Sequence, residues 1–292
     1  MSNPTSPTIA VFAATGTQGG AVTDALLAQG AKVRALIRDS SSAAAVALAD
    51  RGVKLAQIDV HDPASLAGAL AGVDAFWFMT VPPGGMQNPD IASETAQGIA
   101  LADAAAAAGV PYVVFNSVGG AERDSRVPHF DSKHLVEKHL KTLAFRTTIV
   151  RPVFFIDNFR WFAPSVEGGT LVLRLPLPDD IALQMIAARD VGAISAAALL
   201  HPDTVPETIE IAGDALTGSE IAAAFGAKTG LAARYEALPL AALDGQDDMQ
   251  AMFRWFAETP AYQADLNQVR TIAPATWTLA QWLDAVDYTP AS

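Results

Sequence analysis

The 292-residue chain has no cysteine. That rules out disulfides, thiolate nucleophiles, cysteine-based zinc sites and direct thiol redox sensing. Histidine is scarce, at 5 residues. His134 and His139 share a helical pattern but not a one-turn spacing, so no metal site is expected. Positive charge is also short: 19 Lys and Arg stand against 31 Asp and Glu, a formal net charge of −12. A nucleic-acid-binding face has to neutralise phosphates, so direct nucleic-acid binding is disfavoured. An anionic membrane surface would repel the chain as well. Long apolar runs are missing: the Ala-rich run at 104–108 follows Asp103 and is far too short to span a bilayer. Residues 1–8 are polar, hold two prolines and lack the basic-then-apolar pattern of a secretory signal. The expectation is a cytoplasmic protein. Neither G-x-S-x-G nor H-E-x-x-H occurs, which removes the nucleophile-elbow hydrolase and zincin readings.

What is present is ample material for a core, with 51% apolar and 17% charged residues. Residues 9–13 form a short apolar run that leads into a glycine turn. From 19 to 29, Val22, Ala25 and Leu26 fall at helical spacing, and Gly30 ends the helix. Strand-like runs come next at 33–37, 54–58, 74–79, 112–116 and 146–150. They alternate with helical patterns at 40–51, 63–70 and 91–108, and around Leu135, Val136, Leu140 and Leu143. Asp62 is placed to N-cap the helix at 63–70. Pro82-Pro83-Gly84-Gly85 ends the fourth strand. Such alternation implies an α/β fold with a Rossmann-type, doubly wound parallel sheet and right-handed crossovers.

After Arg151-Pro152 the rhythm breaks. An aromatic-rich stretch at 154–162 is read as packing, with some rings free to line an apolar pocket. Strands are expected at 171–175 and 208–211, and helices at 190–200, at 219–229 with Ser219 as N-cap, at 249–258 and at 278–286. The chain thus divides into a dinucleotide-binding domain, 1–155, and a smaller α/β C-terminal domain, 156–292. The second is built over the carboxyl edge of the sheet, and its helix near 190–200 can pack back on the first.

The turn after the first strand reads Ala13-Ala14-Thr15-Gly16-Thr17-Gln18-Gly19-Gly20. A glycine-rich turn between a strand and a helix lets backbone N–H groups face a pyrophosphate, and the helix N-terminus adds partial positive charge. Ala13 stands where the G-x-x-G-x-x-G pattern has its first glycine, and a β-region backbone is expected there. The second strand ends at Arg38, where an NAD site places an acid about 20 residues after the turn. A guanidinium there, with Arg34 nearby, matches a 2′-phosphate and favours NADP(H); Asp39, the next residue, keeps NAD(H) open. Asp59 and Val60 close the third strand on the adenine side. Thr80 and Val81 close the fourth, along the ribose and nicotinamide.

Ser117 follows the fifth strand, and His129 and Lys133 form H-x-x-x-K on one face of the next helix. Short-chain dehydrogenases place Ser and Y-x-x-x-K there. Lys133 is expected on the nicotinamide ribose. His129 stands where the tyrosine would be, and imidazole is a competent general acid near neutral pH. The alternative is a loop residue after Pro128 with no proton-transfer role.

The segment Val11-Phe12-Ala13-Ala14-Thr15-Gly16-Thr17-Gln18-Gly19-Gly20, the phrase His129-Phe130-Asp131-Ser132-Lys133 and Arg151-Pro152-Val153-Phe154-Phe155-Ile156-Asp157-Asn158-Phe159 together resemble the NmrA-like group of atypical short-chain dehydrogenases. Met252-Phe253-Arg254-Trp255-Phe256 and Leu279-Ala280-Gln281-Trp282-Leu283 resemble its HSCARG redox-sensor branch. The resemblance implies an NADP-binding Rossmann domain with a smaller C-terminal domain, and it puts Pro152, Phe155 and Asn158 among the cofactor contacts. It also implies that the catalytic tyrosine is commonly missing. Some members are NADP(H) sensors that bind regulatory proteins, and others are quinone or azo-type reductases. Two functions are therefore carried forward. One is NADPH-dependent reduction of a small apolar carbonyl, imine or quinone. The other is redox sensing through a regulatory protein partner, without turnover.

Overall fold

The computed structural model describes residues 6–83 and 89–290. The Gly84-Gly85 end of the expected turn and residues 1–5 of the N-terminal stretch lie outside the described residues. The first half runs β1 (Thr8–Phe12), α1 (Thr17–Ala28), β2 (Lys32–Ile37), α2 (Ala43–Asp50), β3 (Lys54–Gln57), α3 (Pro63–Leu70), β4 (Ala75–Met79), α4 (Ile91–Ala107), β5 (Tyr112–Asn116), α5 (Pro128–Leu140) and β6 (Arg146–Pro152). The second half runs β7 (Phe154–Phe155), a 3-10 turn (Ile156–Arg160), β8 (Ser165–Glu167), β9 (Thr170–Leu175), β10 (Leu183–Ile186), α6 (Ala188–Leu200), β11 (Thr208–Ile211), β12 (Asp214–Leu216), α7 (Gly218–Thr229), β13 (Ala232–Ala237), α8 (Asp247–Glu258), α9 (Leu266–Ile272) and α10 (Leu279–Ala285).

Seven strands form one parallel sheet in the order β11-β6-β5-β4-β1-β2-β3. Both faces are covered, so its strands are apolar on both sides. Along β1, Ile9 and Val11 pack on one face with Val22 and Leu26 of α1 and Ile194 of α6. Ala10 and Phe12 pack on the other with Leu66 of α3, Leu101 of α4 and Val136 of α5. The pleat sorts β4 likewise: Trp77 goes to the first face, Phe76 and Phe78 to the second. Residues 188–211 return to this layer, with α6 packed on α1 and β11 paired in parallel with β6.

Two three-stranded sheets, β12-β10-β7 and β13-β9-β8, form the rest with α7 to α10. β7, β8, β10, β12 and β13 carried no usable sequence signal. Four of them have four residues or fewer, and β13 (Ala-Ala-Arg-Tyr-Glu-Ala) has no buried residue and no apolar alternation. The N-cap of α7 is Thr217 rather than the expected Ser219. Thr217 and Glu220 form a reciprocal capping box, which satisfies two backbone N–H groups at the helix start, while Ser219 bonds Asp179.

Two local features set the geometry of the crevice at the top of the sheet. Ala13 has φ +51, in the left-handed region and not in the expected β region. Its carbonyl accepts from Gly16 N at 2.9 Å, and this curl turns the chain from β1 into α1. Gly19 is then obligatory, because a Cβ there would lie 2.3 Å from the Ala13 carbonyl oxygen. The second feature is a buried ion pair that ties α5 to the sheet. Arg151 of β6 donates from Nε and Nη2 to Glu137 of α5 at 2.9 and 2.6 Å, and its Nη1 lies 2.7 Å from Glu122. Burial raises the Glu137 pKa, but the bonds from Arg151 outweigh it and leave the carboxyl below its ordinary value.

Replacing Ala13 with Gly should raise stability by about 1 kcal/mol, since an L-residue in the left-handed region costs roughly 1–2 kcal/mol. A denaturant midpoint measures this, and an unchanged or lower midpoint would contradict the strain. Glu137→Ala should cost about 2–3 kcal/mol at neutral pH, because it removes the charge-assisted hydrogen bonds of a buried guanidinium and leaves it only Glu122. With its folded pKa depressed, Glu137 contributes stability above the unfolded carboxyl range that is lost as pH falls through the folded value. The gap between wild type and variant should therefore narrow on acidification, as seen in thermal melts from pH 7 downward. A constant gap would show that the pair's charge contributes nothing.

Candidate functional site

The strand order reverses between β1 and β4, and the crevice at the carboxyl ends of these strands is where α/β sheets hold ligands. At its floor, the N-cap of α1 is Gly16, with no side-chain cap on the first helical N–H groups. Thr15, Gly16 and Thr17 are exposed there, so uncapped donors and the positive end of a 12-residue helix meet solvent. Ala14, expected among the cofactor contacts, is buried in the core at 1% exposure, backbone included, so it presents almost no surface to a ligand. Gln18 faces the crevice and accepts from Asn116 Nδ2 at 2.7 Å.

The neighbouring strand ends are more divided than their sequence positions. Arg38 is exposed at the end of β2 and makes no hydrogen bond or ion pair among the described residues. Arg34 is not available beside it, since its Nη1 donates to the Ala69 and Ala71 carbonyls, both at 2.8 Å, and closes the end of α3. Asp39 turns to its own loop, accepting from the Ser41 hydroxyl and backbone at 2.6 and 2.8 Å. Those two bonds hold its carboxyl below the usual range. Asp59 accepts from His61 N at 2.9 Å, and Val60 is half-buried beside it.

Further along the crevice a cavity of about 510 Å³ opens, its lining mostly apolar. It collects Gln18, Thr80, Val81, Ser117, His129, Lys133, Pro152, Phe155 and Asn158, so nine expected positions from five segments share one space. The Asn116 Oδ1 is buried without a partner among the described residues, and the Ser117 hydroxyl, which has no well-aligned bond, lies near enough to Glu137 to help lower its pKa. An orphaned buried polar atom in a cavity wall is waiting for a ligand's polar group.

His129 and Lys133, one helical turn apart on α5, both reach this cavity, and each meets a buried carboxylate. The Lys133 ammonium bonds Glu94 of α4 and also the Thr80 hydroxyl and carbonyl, at 3.1 and 3.4 Å. Glu94 is fully buried and also accepts from Thr80 Oγ1 at 2.8 Å and Ser132 Oγ at 2.7 Å. The helices can come this close because of Gly98, where a Cβ would lie 2.4 Å from Val136. Lys133 is thus held by the protein rather than standing free for a ribose.

Asp248 of α8 holds His129. Its Oδ2 lies 2.6 Å from His129 Nδ1, an ion-pair distance although neither atom has a well-aligned hydrogen bond. Its Oδ1 accepts from the His129 backbone N at 3.0 Å, supplying the cap that Val127 cannot give α5. With Nδ1 taken up, Nε2 is the nitrogen left for the cavity. Tyr262 also lines the cavity, but burial pushes its phenol pKa well up, so it is a poor proton donor.

Glu94, Asn116, Asp248 and Tyr262 were missed from the sequence. Glu94 did carry a signal: with Gly98, Leu101 and Ala105 it forms one helical stripe, and an acid on a buried stripe calls for a partner. Asp248 carried none, because Asp247-Asp248 reads as an ordinary acidic first turn. His134 and His139 pair with Glu137 and Asp103, and no group of metal-binding side chains occurs among the described residues.

The site can be set beside known proteins. An NAD(P)H azoreductase of Xenophilus azovorans is 31% identical over 281 residues, covering 95% of this chain and 91% of its own. Quinone oxidoreductase 2 of Escherichia coli is 27% identical over 234 residues, covering 79% and 77%. The crystal structure of the NADPH-dependent quinone oxidoreductase of Escherichia coli with NADPH superposes with a TM-score of 0.80 at 26% identity, covering 96% of this chain and all 100% of the other. NmrA, a negative transcriptional regulator solved with NADP, shares the fold at a TM-score of 0.78 and 20% identity, covering 95% and 94%. The NmrA-like family pattern matches residues 5–285, and the chain is a member of the NmrA-like family.

Proposed function

We propose that the chain is an NADPH-dependent reductase of a small apolar acceptor, a carbonyl, imine or quinone. The observation that carries this reading is the convergence of Ser117, His129 and Lys133 on one largely apolar cavity beside an uncapped helix N-terminus. The residues present fit a dinucleotide. The free N–H groups of Thr17 to Gly19 suit a pyrophosphate, and the orphaned Asn116 Oδ1 suits a polar group of the nicotinamide end. Arg38 is an unpaired cation among the described residues, at the end of β2, and Asp39 is turned away from it, which favours a 2′-phosphate. The quinone oxidoreductase and azoreductase relatives support the same reading.

When bound, the dinucleotide supplies a hydride to the acceptor and is left oxidised. The chain does the remaining work. Ser117 donates a hydrogen bond to the acceptor's heteroatom and polarises it. His129 delivers the balancing proton from Nε2 to that atom and is reprotonated from solvent, while Asp248 fixes the ring and steadies its charged form. Lys133 reaches a ribose hydroxyl by exchanging a Thr80 contact, with Glu94 anchoring its ammonium. The apolar walls exclude water from the hydride path.

One observation favours the sensor reading: no tyrosine stands one turn before Lys133. Turnover separates the two. The protein should bind NADPH and oxidise it with at least one member of a quinone, aldehyde and imine panel. Tight binding without turnover would overturn the reductase reading. His129→Gln should lower kcat about 100-fold with NADPH affinity unchanged, and Asp248→Asn, which still caps α5, should lower it roughly tenfold. Full activity in both variants would remove the dyad from the chemistry. Arg38→Ala should weaken NADPH binding roughly 10- to 100-fold and NADH binding little, as for a lost charge-assisted hydrogen bond. Equal losses in a calorimetric titration would rule out the phosphate role.

A further inference from the structure

Among the described residues six large apolar side chains are exposed: Val46, Val81, Leu135, Trp161, Phe162 and Val166. Three of the six, Val81, Trp161 and Phe162, line the cavity that holds His129 and Lys133. Scattered exposed hydrophobics are ordinary, but this clustering at a single cavity is not random scatter. Trp161 is 76% exposed, and neither it nor Phe162 stacks on another aromatic ring among the described residues.

The turn that carries this pair is anchored. Phe159 is fully buried against Phe154 and Phe225. Asp157 accepts from Ala188 N at 2.7 Å and Trp282 Nε1 at 3.3 Å. The Asn158 carbonyl accepts from the backbone N of Trp161 and of Phe162, at 2.9 and 3.0 Å. A rigid base therefore presents two bare rings at the mouth of an apolar cavity. Val81, 48% exposed, belongs to the same lining.

We propose that Trp161 is a specificity-determining residue on the exposed side of the cavity, selecting planar acceptors with at least two conjugated aromatic rings. The inference rests on the reductase reading. An acceptor whose reacting ring sits by His129 brings a second coplanar ring towards the exposed side of the cavity, where Trp161 stands. There it meets the Trp161 indole, a large flat surface suited to offset stacking. Phe162 and Val81 supply apolar contact around it. Single-ring acceptors have no second ring to lay on the indole.

The test compares p-benzoquinone with a phenylazonaphthol dye on the full chain, using wild type, Trp161→Phe and Trp161→Ala. Loss of one stacking contact should lower kcat/KM for the dye about tenfold in Trp161→Ala. Trp161→Phe should keep most of the activity, and p-benzoquinone reduction should fall much less than dye reduction in Trp161→Ala. Equal losses on both acceptors, or none on the dye, would overturn the proposal. Equilibrium binding of the dye to NADP+-loaded protein gives a readout without turnover. Weaker dye binding in Trp161→Ala, with no reduction of either acceptor by wild type, would sink the reductase reading and keep the stacking site. Reduction of the dye indifferent to Trp161 would do the reverse.

Discussion

The buried face of α5 is held by carboxylates, and the rest of the site depends on that. His129, Ser132, Lys133 and Glu137 all lie on this helix and are fixed from three other elements: His129 by Asp248 on α8, Ser132 and Lys133 by Glu94 on α4, and Glu137 by Arg151 on β6. Charges this deep persist only when paired and hydrogen-bonded, so each pair demands that its two elements meet in one register. A helix pinned along its length by three such contacts cannot slide or rotate without stranding a charge. The imidazole and the ammonium therefore point into the same cavity with their rotamers already chosen, which is what a proton donor and a ribose anchor require.

A second constraint acts at the other side of the crevice. The left-handed backbone at Ala13 and the close approach at Gly19 bring the start of α1 under the carboxyl end of β1. That leaves the first N–H groups of the helix uncapped and facing the switch point between β1 and β4. Backbone strain and unsatisfied donors both cost stability, and both collect where a phosphate would offset them. Relatives that share the NmrA-like fold range from reductases to a transcriptional regulator. The fold therefore accounts for dinucleotide binding and is neutral about turnover. What separates the two outcomes is local: whether a proton donor is held where an acceptor can reach it. In this chain His129 is held beside the cavity, from outside the sheet layer, by a helix of the C-terminal half.

Much of the fold is legible in the sequence. Short apolar runs and helical spacings place β1 to β6 and α1 to α5 because the helices repeat at 3.6 and strands buried on both faces read as continuous apolar segments. The glycine turn, Arg38, Ser117 and the H-x-x-x-K spacing depend on local chain geometry, so they too are readable. The short strands β7, β8, β10, β12 and β13 are not, because their pairing is decided by neighbours far along the chain.

What the sequence by itself determined is the doubly wound layer and the roster of side chains at its carboxyl edge, since these depend on periodicity and on position relative to strand ends. What tertiary structure decided is the state of those side chains. Arg34 and Arg38 look alike in the chain, yet one is tied to the end of α3 and the other stands unpaired among the described residues. Lys133 looks available and is engaged by Glu94, and His129 gains from Asp248 a partner 119 positions away. Trp161 reads as packing and stands at the cavity mouth. Each of these outcomes turns on which distant group satisfies a charge or covers a ring, and that contact is formed only when separate elements pack together.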